Sequence, residues 1–269
     1  MHFLWLHIFR WKYVDFLNEL KNPQKKSLVF TPNPEILLHA SRDQEFLEIL
    51  KQADFLTPDA NGLYVGAQMW EGKSFLVAGF RTLFSKKSLQ EQYGELIQGS
   101  NLTRDLVDFA QTTGKKILMI DNYRITKAIN EFEERKMETQ WRFRELFQEK
   151  FPRLTVEVLF DWEKSPVEIA EFIQKENISY AFSCIGMKIQ EQRLVEIFAH
   201  IPEDFPVVWL WVGSSFDYLL GLQKRAPVIF QKLGLEWLYR LILEPRKRWR
   251  RIRNAVVEFP RMVKTWEKN

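Results

Sequence analysis

The chain predicts an α/β fold: a mostly parallel sheet with helices on both faces, followed by a basic helical C-terminal appendage. Three observations carry that expectation. Short, almost continuous apolar runs recur along the sequence, each stopping near Asp, Asn, Gly or Ser. Amphipathic stretches of helical length separate them, and strands covered on both faces read as unbroken apolar runs of this kind. Charge collects at one end: residues 246–269 hold nine Lys/Arg against two Glu, while the preceding residues hold 30 basic and 33 acidic side chains.

The first strand is Leu28-Val29-Phe30, stopped by Thr31-Pro32-Asn33-Pro34-Glu35, and one helix is expected over 36–51. The second strand is Ala53-Asp54-Phe55-Leu56, and Thr57-Pro58-Asp59-Ala60-Asn61-Gly62 repeats the same stop. Segment 72–94 fits the alternation poorly; its Phe75, Phe80 and Phe84 read as a flexible excursion that packs locally. Four further strands are expected at 116–120, 154–159, 180–185 and 207–212, with helices over 126–149, 166–176 and 189–199. Together these elements describe a Rossmann-like sheet. Residues 235–243 read as a helix ended by Pro245. Beyond it Trp249, Ile252, Val256, Phe259 and Val263 follow a 3-4-3-4 spacing, one apolar helical stripe. Pro260 is expected to kink or interrupt that stripe. Arg248, Arg250, Arg251 and Arg253 surround its first half, a combination suited to an anionic membrane surface. Each basic residue near such a surface is worth about 1 kcal/mol. The expected division is an α/β domain over 1–222 and an appendage over 223–269.

At 269 residues and 46% hydrophobic, the chain can bury a substantial core. A single cysteine, Cys184, forms no internal disulfide, and inside an apolar strand it reads as an inert buried thiol. His2, His7, His39 and His200 are scattered, without metal-ligand spacing. The N-terminus is apolar but short, without a basic leader. No stretch reaches the ~20 apolar residues of a spanning helix. The expected location is therefore the cytosol, or the inner face of a membrane. The basic tail also permits nucleic-acid binding, but the acidic body and the lack of a base-reading module argue against it.

If the first two strands are parallel neighbours, both Thr-Pro-Asx corners lie at one carboxyl edge, where open α/β sheets bind ligands. Thr31, Asn33, Asp59 and Asn61 then face a common cleft, and Asp59 brings a carboxylate able to accept a proton. The plainer reading is a strand end followed by a helix cap, since Asn caps well and Pro suits a first turn. No Asp-x-Asp triplet is present to clamp a diphosphate through a divalent ion.

Further motifs join these corners: Gly99-Ser100, Gly186-Met187, Gln190-Glu191, Phe216-Asp217, Lys224-Arg225-Ala226-Pro227, Gly234-Leu235-Glu236-Trp237-Leu238-Tyr239-Arg240-Leu241 and Glu244-Pro245. Through them the chain resembles the WecG/TagA/CpsF glycosyltransferases over most of its length. That resemblance implies an inverting transfer of a hexosamine, such as N-acetylmannosamine, from a UDP-sugar to a polyprenyl-diphosphate-linked sugar. It implies no metal or other cofactor, and a peripheral enzyme of cell-envelope polysaccharide or teichoic acid synthesis. Residue by residue, it implies Asp59 as base, with Thr31, Asn33 and Gln190 positioning sugars. It places Asp217 and Trp162 at the uridine, Gly186 in the cleft, and Arg225, Arg240, Arg246 and Arg250 on phosphate. The chain departs from the pattern at Leu96, where relatives carry Arg, and at Asp121-Asn122, Lys188-Ile189 and Ser214-Ser215. Segment 72–94 is also longer than in relatives. A degenerate member that binds nucleotide or lipid diphosphate without transfer is the alternative, and a homo-oligomer remains open.

Overall fold

The computed structural model describes residues 2–3, 6–8, 10–121, 136–160, 164–185, 187–213, 215–223, 226–227, 229–230 and 236–266. A two-stranded antiparallel ribbon, β1 (His2–Phe3) and β2 (Leu6–His7), precedes helix α1 (Tyr13–Lys21). One six-stranded sheet follows: β3 (Ser27–Phe30), β4 (Phe55–Leu56), β5 (Lys116–Asp121), β6 (Thr155–Phe160), β7 (Ile178–Ser183) and β8 (Val208–Trp211). Its order is β4-β3-β8-β7-β5-β6, and every pairing is parallel. All six carboxyl ends therefore share one edge.

The helices up to the sheet's end are α2 (Pro34–Ala40), α3 (Gln44–Lys51), α4 (Gly62–Trp70), α5 (Phe75–Phe84), α6 (Lys86–Tyr93) and α7 (Gly99–Thr113). They continue with α8 (Lys136–Lys150), α9 (Pro166–Lys175), α10 (Ile189–Ala199) and α11 (Ser215–Leu219). The C-terminal helices are α12 (Glu236–Leu243), α13 (Pro245–Arg253) and α14 (Phe259–Trp266).

The pleat sorts strand side chains into two cores, because successive residues point to opposite faces. Leu28, Phe30, Leu118, Ile120, Trp209 and Trp211 face one layer, covered by α2, α3, α4, α9 and α10. Val29, Ile117, Met119, Val208 and Leu210 face the other, covered by α1, α7, α8 and α11. Apolar residues on both sides of every central strand explain the unbroken runs in the sequence.

Three expectations change. The stretch 36–51 is two helices, not one: the chain breaks after Ala40, and Asp43 caps α3 by accepting from the Phe46 amide at 3.1 Å. Segment 72–94 is no loose excursion but the two helices α5 and α6. Nor do its aromatic rings pack inward, for Phe80 is 64% exposed and Phe84 72%.

The third change concerns the C-terminal stripe. The expected interruption near Pro260 takes the form of a π-helical turn at Asn254–Glu258, after which α14 runs to Trp266. Such a widened turn absorbs a break in the hydrogen-bond ladder, so the proline is accommodated. Phe259 and Val263 are buried in the core layer that α2 and α4 line, whereas Trp249 and Val256 stay exposed. Two of the five stripe residues thus belong to the body. Fully burying a side chain such as Phe259 contributes about 1.5–3 kcal/mol. Two ion pairs add to the docking: Arg251 with Glu35 at 2.7 Å and Arg42 with Glu258 at 3.6 Å.

Candidate active site

The parallel pairing of β3 and β4, with Phe30 opposite Leu56, brings both Thr-Pro-Asx corners together. Backbone bonds continue the ladder past the strands: the Thr57 amide donates to Phe30 O at 3.0 Å, and the Asp59 amide to Pro32 O at 3.3 Å. The corners are also pressed together behind the site. A Cβ on Gly62 would stand 2.6 Å from Pro34 Cγ, so only glycine lets the starts of α2 and α4 approach this closely.

Asn33 and Asp59 use their side chains differently. The Asn33 Oδ1 accepts from the Glu35 and Ile36 amides at 2.9 and 3.2 Å, an N-cap on α2. Its amide oxygen is engaged by its own helix. Asp59 is partly exposed and reaches across to another element: its Oδ1 accepts from the Gly99 amide at 3.1 Å. Gly99 opens α7, so the positive end of that helix faces the carboxylate. Thr31 lies beside it, buried, with its hydroxyl 3.5 Å from Trp211 O. A Cβ on Gly99 would meet Thr31 Oγ1 at 3.1 Å and Ser215 Oγ at 4.0 Å. Asp59, Thr31, Gly99 and Ser215 therefore converge at the edge where β4, β3 and β8 end.

The same edge holds polar atoms that the fold leaves unsatisfied. Thr57 Oγ1, Asn61 Oδ1 and Ser183 Oγ are buried with no hydrogen-bond partner among the described residues. A buried polar group left unmade costs about 1–3 kcal/mol, so such groups at a sheet's carboxyl edge suit a polar ligand. Asp217, 8% exposed in the first turn of α11, accepts from Gln223 Nε2 at 2.7 Å. Asp121 and Glu191 are fully buried carboxylates at the ends of β5 and the start of α10. Thr57, Ser183, Ser215 and Glu191 went unassigned in the sequence reading. For three of them the signal was present: Thr57, Ser183 and Ser215 are polar residues at or just beyond the end of an apolar run, whereas Glu191 lies in the first turn of α10.

Other predicted positions fall elsewhere. Trp162, Gly186 and Arg225 lie outside the described residues. The backbones of Gln190 and Arg240 fall in α10 and α12, and their side chains lie outside the described residues. Leu96 packs against the core, so this position carries no cation toward the edge. Lys188 has φ 74°, a backbone state closed to proline, and its ammonium pairs with Asp43.

The basic helix α13 stands over the first corner. Arg251 holds Glu35, two residues beyond Asn33; Arg248 pairs with Glu244 at 2.9 Å and Arg253 with Glu258 at 3.2 Å. Arg246 and Arg250 are exposed and form no ion pair among the described residues. Burial, with the cations of Lys188, Arg250 and Arg42 against the opposing pull of Glu35, holds His39 of α2 below the usual imidazole value. That coupling places Arg250 within electrostatic reach of α2.

The chain is 26% identical over 243 residues to the N-acetylglucosaminyldiphosphoundecaprenol N-acetyl-beta-D-mannosaminyltransferase of Bacillus subtilis (strain 168), covering 89% of this chain and 80% of that protein. The protein of the same name from Staphylococcus aureus (strain NCTC 8325 / PS 47) is 25% identical over 227 residues, 83% of this chain and 73% of the relative. The description "Glycosyl transferase WecG/TagA/CpsF family" matches residues 2–268, and the chain belongs to that glycosyltransferase family.

Proposed function

We propose that the chain transfers a hexosamine, N-acetylmannosamine or a close analogue, from a UDP-sugar to a polyprenyl-diphosphate-linked sugar, with inversion and without a metal. The observation that carries this reading is the Asp59 carboxylate, held at the sheet edge by the Gly99 amide beside Thr31. In the proposed step the acceptor hydroxyl attacks the anomeric carbon from the face opposite the nucleotide. Asp59 takes the hydroxyl proton as the new C–O bond forms. The bond to UDP breaks at the same carbon, and its electron pair leaves on the diphosphate. A positioned base of this kind contributes about 10²–10⁴-fold.

The remaining roles are proposed from the chemistry of the side chains. Thr31 and Gln190 orient the sugars, and Asn33 sets the corner by capping α2. Asp217 and Trp162 hold the uridine, and Gly186 lines the cleft. Arg225, Arg240, Arg246 and Arg250 offset the diphosphate charge, since a guanidinium fork matches phosphate oxygens. Residues 223–269 act as an appendage that completes the site at a membrane surface. Among the described residues no helix is long and apolar enough to cross a membrane, so attachment is proposed as peripheral, at the cytoplasmic face. The product belongs to the assembly of a teichoic acid or related envelope polymer.

The test is a panel of UDP-hexosamines with and without a lipid-linked N-acetylglucosamine acceptor, read by UDP release and mass spectrometry of the lipid, with and without chelator. Acceptor-dependent, chelator-resistant transfer supports the reading. A second reading rests on Leu96, whose packing against the core leaves that position without a cation. Tight UDP binding with no turnover of any donor would favour that binding-only role.

A further inference from the structure

We infer that α5 is a membrane-docking helix that lays its apolar face on an anionic lipid surface. The helix is built inside out. On its inner side stand small residues, Ala78 and Thr82, both buried. On its outer side Leu76 is 80% exposed, Phe84 72%, Phe80 64% and Leu83 54%. At 100° per residue these four occupy one continuous face, opposite Ala78 and Thr82. Phe80 and Phe84 stack on each other at 4.6 Å between ring centroids, in the open.

A helix free to roll would turn those rings inward. Hydrogen bonds prevent it. Gln68 of α4, fully buried, donates through Nε2 to Ala78 O at 3.2 Å and Thr82 Oγ1 at 3.1 Å, and Thr82 Oγ1 donates back to Ala78 O at 2.8 Å. Ser74 caps the helix by accepting from the Val77 amide. The outward orientation of the rings is thus fixed by a buried polar network. Contiguous exposed apolar surface of this sort marks a docking site.

Charge selects the occupant. Residues 72–90 contain Lys73, Arg81, Lys86 and Lys87 and no Asp or Glu. Lys73 pairs with Glu71, whereas Arg81, Lys86 and Lys87 form no ion pair among the described residues. Protein interface cores are depleted in Lys, while cations beside a short apolar helix are the pattern of an interfacial helix on anionic lipid. At ten residues α5 is too short to span. Arg81 and the two lysines have stems long enough to keep their charges at headgroup level. This surface belongs to a different helix from the basic α13, and its test needs neither donor nor acceptor, so it stands or falls independently of the transfer reaction.

The experiment is flotation of the full chain with phosphatidylcholine vesicles, with and without phosphatidylglycerol. Phosphatidylglycerol should raise binding. Replacing the exposed set together, Leu76→Ser, Phe80→Ser and Phe84→Ser, should lower partitioning at least about tenfold with unchanged thermal stability. Lys86→Gln with Lys87→Gln should cost about 25-fold on the anionic vesicles, at roughly fivefold per cation, and little on neutral ones. A second readout covers a triple variant that folds poorly: Phe80→Cys carrying an environment-sensitive fluorophore should shift to the blue on anionic vesicles. Unchanged flotation of a folded triple variant, or a label that stays in water while the chain floats, overturns the proposal. So does a triple variant that keeps vesicle binding but loses self-association in sedimentation velocity, which would assign the face to a second copy of the chain.

Discussion

Asn33 and Asp59 hold matching positions in two corners of nearly identical sequence, and the fold employs them for opposite ends. Asn33 turns back on its own helix and closes α2. Asp59 reaches outward to the first amide of α7, 40 positions along the chain. The difference follows from what comes next. Pro34 starts a helix at once behind Asn33, so the nearest free amides are its own. Behind Asp59 the chain makes another turn before Gly62 begins α4, and the carboxylate is left to bridge elements. A polar side chain that satisfies its own helix is punctuation; one that leaves it is available for chemistry.

The largest expected effect separates these two roles. Asp59→Asn should lower acceptor-dependent transfer by about 10²–10⁴-fold while leaving the denaturation midpoint unchanged, since the amide oxygen can still accept from Gly99. A variant that instead loses stability with activity intact would make Asp59 a second cap and dissolve the contrast. Next, Gly62→Ala tests whether the corners form one unit. The added methyl meets Pro34 at 2.6 Å, and relieving it should cost about 1–3 kcal/mol in a urea titration, with the Michaelis constant rising as both corners shift. Smaller still, Asn33→Ala should cost about 1 kcal/mol of stability and reduce turnover far less than the change at Asp59.

The smallest effect is a pH dependence on the first corner alone. His39 is held below its usual 6.5, mainly by burial. A lowered folded value means the unfolded chain binds the proton more readily. Stability is therefore complete above the unfolded value and falls as pH drops through the folded one. The urea midpoint should decline between pH 7 and pH 5, and His39→Gln should flatten that decline without touching the behaviour at Asp59.

Much of this was legible before any coordinates. Unbroken apolar runs located all six sheet strands because a parallel sheet covered on both faces leaves no polar side to alternate with. The two corners were legible because Thr-Pro stops a strand whatever surrounds it. What failed was any question of facing. A 36–51 helix looked continuous because the amphipathic pattern bridges Ser41-Arg42-Asp43, where only the Asp43 cap marks the break. Apolar spacing at Trp249, Ile252, Val256, Phe259 and Val263 revealed a face but not its neighbour, and its last two residues proved to be core. The aromatic residues of α5 misled in the other direction, because a fixed outward orientation depends on Gln68, a residue in a different helix. The role of Asn33 as a cap was the plainer reading all along, and the bond lengths bear it out.

One consequence reaches the bench. Because Phe259 and Val263 are buried in the same core cluster as Ile36, Leu37 and Tyr64, and their helix packs on α2 and α4, the last helix behaves as a keystone rather than a detachable handle. Deleting the tail would open a greasy wound in the body, and any resulting inactivity would say nothing about lipids or phosphates. Dissecting what the C-terminus contributes calls for charge swaps at Arg246 and Arg250, which leave the masonry standing.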